Sequence, residues 1–98
     1  MEVMLNSAQG GATICDVKAS QGRMCIANSV STSEFIAAAN NSDYIILEGG
    51  VNDSFHYNNY GITLGSLSSS YNLSNKEAGT IFYEAFEKML YEVTTKFV

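Results

Sequence analysis

Four apolar residues with no polar one among them, Tyr44-Ile45-Ile46-Leu47, lie between a break at Ser42-Asp43 and the glycine pair Gly49-Gly50. A run of that length is the size of a strand. Its lack of polar alternation predicts a strand covered on both faces, as in a parallel sheet between helix layers. A second short apolar run, Val3-Met4-Leu5, stops at Asn6-Ser7 and reaches Gly10-Gly11, the pattern of a strand entering a tight loop. From Ala12 to Ser31 small and polar residues dominate, which predicts loop with room for one helical turn. Ser31-Thr32-Ser33-Glu34 supplies capping residues for a short helix from Phe35 to Ala39 that ends near Asn40-Asn41. The stretch from Asn52 to Asn75 is rich in Asn, Ser, Gly and Tyr and predicts a long loop, a kind of segment that is usually functional or disordered.

The strongest periodicity is C-terminal. Ser74-Asn75-Lys76-Glu77 fits a capping box, with Glu77 three residues after Ser74. Beyond it Ala78, Ile81, Phe82, Ala85, Phe86, Met89, Leu90, Val93 and Phe97 recur at spacings of three and four, while Glu84, Glu87, Lys88, Glu92 and Lys96 take the other face. This is an amphipathic helix whose apolar stripe is expected to face a core. The order strand–loop–helix–strand–loop–helix predicts an α/β layered fold with a parallel sheet.

Bulk properties narrow the function. Ninety-eight residues make at most one domain. A hydrophobic fraction of 46% with 15% charged residues is that of a globular chain, not a disordered one. The net charge is −5, with five scattered basic residues, so nucleic acid is not an expected partner. Ile45-Ile46-Leu47 is the longest aliphatic run and is too short to span a bilayer. Met1-Glu2-Val3-Met4-Leu5 lacks the basic and apolar regions of a signal peptide. A cytoplasmic chain is expected, with secretion of a longer parent left open. Cys15, Cys25 and His56 match no zinc or redox spacing, so neither metal nor cofactor is expected. The two cysteines are read as free thiols, with a loop disulfide as the alternative. Three Asn-x-Ser sequons, at Asn40, Asn52 and Asn72, carry little weight in so Asn- and Ser-rich a chain.

The segment Asp43–Asp53, ending in Gly49-Gly50-Val51-Asn52-Asp53, resembles the third sequence block of the SGNH (GDSL-type) ester hydrolases, a Gly-x-Asn-Asp at the end of a sheet strand. Asn6-Ser7-Ala8-Gln9-Gly10-Gly11-Ala12-Thr13 resembles the second block of that family, and Leu64-Gly65 with the approach to Thr80-Ile81-Phe82-Tyr83 resembles the segment leading into the next helix. The chemistry of such blocks can be stated independently. Glycine permits a sharp turn, and a short, neutral Asn amide held beyond it can donate to a tetrahedral oxyanion; losing one such donor typically costs about 10²–10³ in turnover.

The resemblance implies a flavodoxin-like three-layer fold with strand order 2-1-3-4-5, of which this chain would be one partial domain over residues 1–98. Its first strand and C-terminal strands would be missing. It implies Asn52 and Gly11 as oxyanion-hole donors, Gly10 being the less favoured glycine, with Gly50 turning the chain and Asp53 bracing the turn that aims Asn52. The implied substrate is a small-molecule or carbohydrate ester. No Gly-Asp-Ser is present and the Asp and His that complete the family's triad are absent, so the chain alone is expected to be inactive. His56 has no nucleophile at an identifiable elbow, and Cys15 would need a nearby cation such as Lys18 to ionise. With Glu2–Asn6 as second strand and Tyr44–Glu48 as third, the slot between them is empty, and the two exposed strand edges predict a chain that self-associates, closes the gap by pairing the two strands directly, or is poorly stable. The alternatives are a small flavodoxin-like binding or assembly module that keeps the family loops without chemistry, and anion or nucleotide binding by the glycine pairs, which have no phosphate-loop lysine.

Overall fold

A computed structural model describes residues 3–17, 24–66 and 78–97. Their regular structure is helical: α1 (Ile26–Ser29), α2 (Ser33–Asn40), α3 (Val51–Phe55), α4 (Tyr57–Tyr60) and α5 (Phe82–Phe97). Among the described residues there is no strand. Two isolated parallel bridges, Thr13 with Cys25 and Thr63 with Ile81, are the only β pairing among the described residues. The expected α/β flavodoxin-like fold with parallel strands is therefore incorrect for this chain.

The physical reason lies in backbone pairing. A strand's N–H and C=O groups need a neighbouring strand, and among the described residues neither apolar run finds one. Residues 44–48 do keep the period of an extended chain: Ile45 and Leu47 are half-buried, while Tyr44 and Ile46 are 81% and 83% exposed. One face is thus covered and the other open, where a strand covered on both faces was expected. Val3 and Met4 are likewise exposed.

The core forms instead where the bridged loops meet α1 and α5. Ile14, Cys15 and Val17 pack with Ala27 and Val30 from the α1 region and with Ala85 and Met89 of α5. Phe82, Ala85, Phe86, Met89 and Val93 lie at helical spacing on the stripe that meets this cluster. Burial of Glu87 is a correction to the sequence reading, which put it on the polar face.

Helix α5 starts later than expected, with Ala78 and Ile81 outside it. The capping box at Ser74–Glu77 lies outside the described residues. The first-turn amides of α5 are satisfied by a neighbouring segment: Phe82 N–H donates to the Thr63 carbonyl at 2.8 Å and Tyr83 N–H to the Leu64 carbonyl at 3.0 Å. Helix α2 is capped locally, the Thr32 hydroxyl accepting the Phe35 amide at 3.2 Å. The expected loop after Asn52 is in part helical. Helix α3 begins after Gly50 at φ +103° and α4 ends at Gly61 at φ +68°, conformations that glycine adopts without strain.

Candidate functional site

The two glycine-bearing loops that the sequence singles out are joined in space by Asp53. Its carboxylate is 2% exposed. One oxygen, Oδ2, accepts the Ile14 amide at 2.8 Å and the other, Oδ1, accepts the Cys15 amide at 3.0 Å. Asp53 was expected to brace its own turn; its partners belong instead to the other loop. Nothing local to Asp53 signals them, because they lie 38 and 39 positions earlier in the chain.

Asn52 is half-buried, and its Nδ2 donates to the Ala12 carbonyl at 3.0 Å. A primary amide carries two N–H donors, so this bond fixes the side chain and leaves a second hydrogen. Gly11 precedes Ala12 in a turn closed by Ala12 N–H donating to the Gln9 carbonyl at 3.2 Å. Its φ of +82° suits the third position of a type II turn. No acceptor for the Gly11 N–H is found among the described residues.

The other side of this loop is held by the chain around α1. Thr13 N–H donates to Met24 O at 3.0 Å, Ile26 N–H to Thr13 O at 2.7 Å, and Cys25 Sγ to Ile14 O at 3.2 Å. Residues 12–15 are thus clamped from both sides. Close approach explains one glycine of the second loop: a Cβ at Gly49 would stand 2.6 Å from Ile26 Cδ1 and 2.9 Å from Ile14 Cγ1. Gly10, Gly11, Gly49, Gly50 and Asn52 all line one open groove of about 970 Å³.

Cys15, the thiol raised as a possible nucleophile, is not activated. Cys15 is fully buried and its thiol is pushed up to about 12, first by burial and then by the hydrogen bond and charge of Asp53. That is the opposite of an activated thiol. Lys18 lies outside the described residues. The Cys25 thiol is also raised, chiefly by burial, and both cysteines are free. His56 stacks on Tyr60 at 4.8 Å and meets Phe55 edge-on at 4.9 Å. Among the described residues no group of three or more potential metal ligands occurs, and no helix is long and apolar enough to cross a membrane.

Comparison of the chain with protein-family models, with curated proteins and with solved structures gives no match.

Proposed function

We propose that this chain carries the oxyanion-binding part of an ester-hydrolase site of the SGNH type. In this reading Gly11 and Asn52 are the donors, while Gly50 and Asp53 hold them in place. The reading rests on the site's chemistry and not on likeness of fold. The observation that carries it is the pair of bonds from Asp53 to the Ile14 and Cys15 amides. They bring the loop bearing Asn52 against the loop bearing Gly11, each with an N–H to offer. Rigidly held neutral donors of this kind are what a tetrahedral oxyanion requires.

The substrate class is a carboxylic ester with a short acyl or carbohydrate acetyl group. The 98 residues contain no Gly-Asp-Ser and a single histidine, so the chain on its own supplies donors without a nucleophile or base. Titration of ¹⁵N-labelled protein with methanesulfonate, a tetrahedral oxyanion mimic, tests the assignment. The Gly11 backbone and Asn52 side-chain resonances should shift together, and Asn52→Ala should abolish the Gly11 response. Saturating methanesulfonate without movement of either would reject the donor roles.

A second reading, a binding or self-association module without chemistry, is favoured by one observation. Tyr44 and Ile46 present an open apolar face on a segment with no backbone hydrogen bond among the described residues.

A further inference from the structure

The groove has two long walls. One is the segment from Val3 to Ala12 and the other the segment from Asn41 to Asn52. Residues 43–49 make no backbone hydrogen bond among the described residues, nor do residues 3–5. Unpaired N–H and C=O groups along an extended chain form a template for another strand. The alternate exposure of residues 44–48 has the period of an extended chain. At roughly 3.3 Å per residue those five positions span about 17 Å, the length of an ordinary strand. Of the ten large apolar side chains exposed among the described residues, Val3, Met4, Tyr44, Ile46 and Val51 belong to this groove. Exposed apolar surface concentrated in this way marks an interaction site.

Charge selects the occupant. Asp43 and Glu48 stand exposed at the two ends of Tyr44–Leu47, and no Lys, Arg or His lines the groove. A second copy is disfavoured by its own charge of −5. Antiparallel pairing of Tyr44–Leu47 with itself would also set Asp43 of one copy against Glu48 of the other, twice, and like charges directly opposite are destabilising. An extended segment of a different protein, apolar at alternate positions and basic at its ends, meets both the face and the charge.

We propose that the groove between residues 3–12 and 41–52 accepts such a segment by strand addition along Tyr44–Glu48. Main-chain hydrogen bonds supply the affinity in this mode, and alternate side chains supply the selection. The proposal does not depend on the oxyanion reading, since it uses the backbone of residues 44–48 rather than Gly11 and Asn52.

The test uses the full chain and a fluorescent peptide of roughly seven residues, alternating valine and threonine with lysine at both ends. Saturable binding is expected, with amide exchange at residues 44–48 slowed at least about ten-fold in the complex. N-methylation of every second peptide residue should abolish it. Replacing the terminal lysines by glutamates, or introducing Asp43→Lys with Glu48→Lys, should weaken it roughly three- to ten-fold at low salt. Both substituted residues are exposed, so the fold should survive, with unchanged circular dichroism as the check. Equal binding of the N-methylated or glutamate-ended peptide would overturn the proposal, as would no binding at all. Protection of residues 44–48 that rises with protein concentration in the absence of peptide would overturn it too, by making a second copy the occupant.

Discussion

The Asp53 carboxylate accepts the backbone N–H of Ile14 at 2.8 Å, across 39 positions of the chain. With the Cys15 amide on its other oxygen, this side chain does for the loop at residues 12–15 what a neighbouring strand would do in a sheet.

Removing it should therefore cost more than a surface substitution. Asp53→Ala would leave two buried amides without their acceptors, at about 1–3 kcal/mol each. Urea unfolding should show a loss of roughly 2–5 kcal/mol. Asp53→Asn keeps one carbonyl acceptor and should lose less. A loss for Asp53→Ala within about 0.5 kcal/mol, the scatter of ordinary surface changes, would mean that the carboxylate does not hold the loops together.

The glycines of the two loops should differ sharply. A Cβ at Gly49 collides with Ile26 and Ile14, whereas one at Gly10 meets nothing within 4 Å. Gly49→Ala should destabilise by about 1–3 kcal/mol through overpacking, and Gly10→Ala should be close to neutral. Parallel thermal melts of the two variants decide the matter, and equal melting points would show that Ile26 and Ile14 yield freely.

Alkaline stability should report on Cys15. Its thiol is raised from an ordinary 9.0 to about 12, chiefly by burial. The folded state therefore resists losing a proton that the unfolded chain gives up from about pH 9. Stability from this group is intact below the unfolded value and is lost as pH climbs from 9.0 towards about 12. Cys15→Ala should flatten that part of the stability–pH curve, measured by denaturant unfolding. At pH 8, Ellman's reagent should label Cys15 only after denaturation. Fast labelling of native Cys15 would contradict its burial.

At the far end of α5, Glu92 lies 2.6 Å from Lys96 and 4.0 Å from Lys88. The hydrogen bond from Lys96 holds its carboxyl below the usual range. A depressed carboxyl contributes stability above its unfolded value of 4.5, lost as pH falls through the lower folded value. Pairs of this spacing on a helix contribute about 0.3–0.5 kcal/mol each. Glu92→Gln should lower helicity slightly at neutral pH and low salt, and the difference should vanish in high salt.

What the sequence disclosed and what it hid divide along a physical line. Helix α5 was legible because Phe82, Ala85, Phe86, Met89 and Val93 encode a stripe within one local segment. Its start was not, because the acceptors for the Phe82 and Tyr83 amides are carbonyls of Thr63 and Leu64, supplied from elsewhere in the chain. The run Tyr44–Leu47 suggested a strand covered on both faces, yet only Ile45 and Leu47 are half-buried, and a sheet is a property of pairs: no partner strand is found among the described residues. The short helices α3 and α4 were missed in a polar, Asn-rich stretch, although Gly61 at the end of α4 was a readable stop signal. At the site, the glycine turns and Asn52 could be located by residue type. The link from Asp53 to Ile14 and Cys15 could not, since no spacing rule connects them.

Hydrolysis offers the last prediction. Two N–H donors stabilise an oxyanion only after something has attacked the carbonyl, and among the described residues neither Cys15 nor His56 forms a nucleophile–base pair. The Cys15 thiol is buried and its pKa is pushed up to about 12. His56 has Phe55 and Tyr60 as ring neighbours. When the Ser or His of a triad is lost, most of the rate goes with it, and what survives comes from the oxyanion hole and binding. The purified chain should therefore hydrolyse p-nitrophenyl acetate no faster than an equal concentration of its Asn52→Ala variant. Saturable turnover by the parent chain that disappears in Asn52→Ala would show that a nucleophile is present after all. The covalent acyl adduct, located by mass spectrometry, would then identify it.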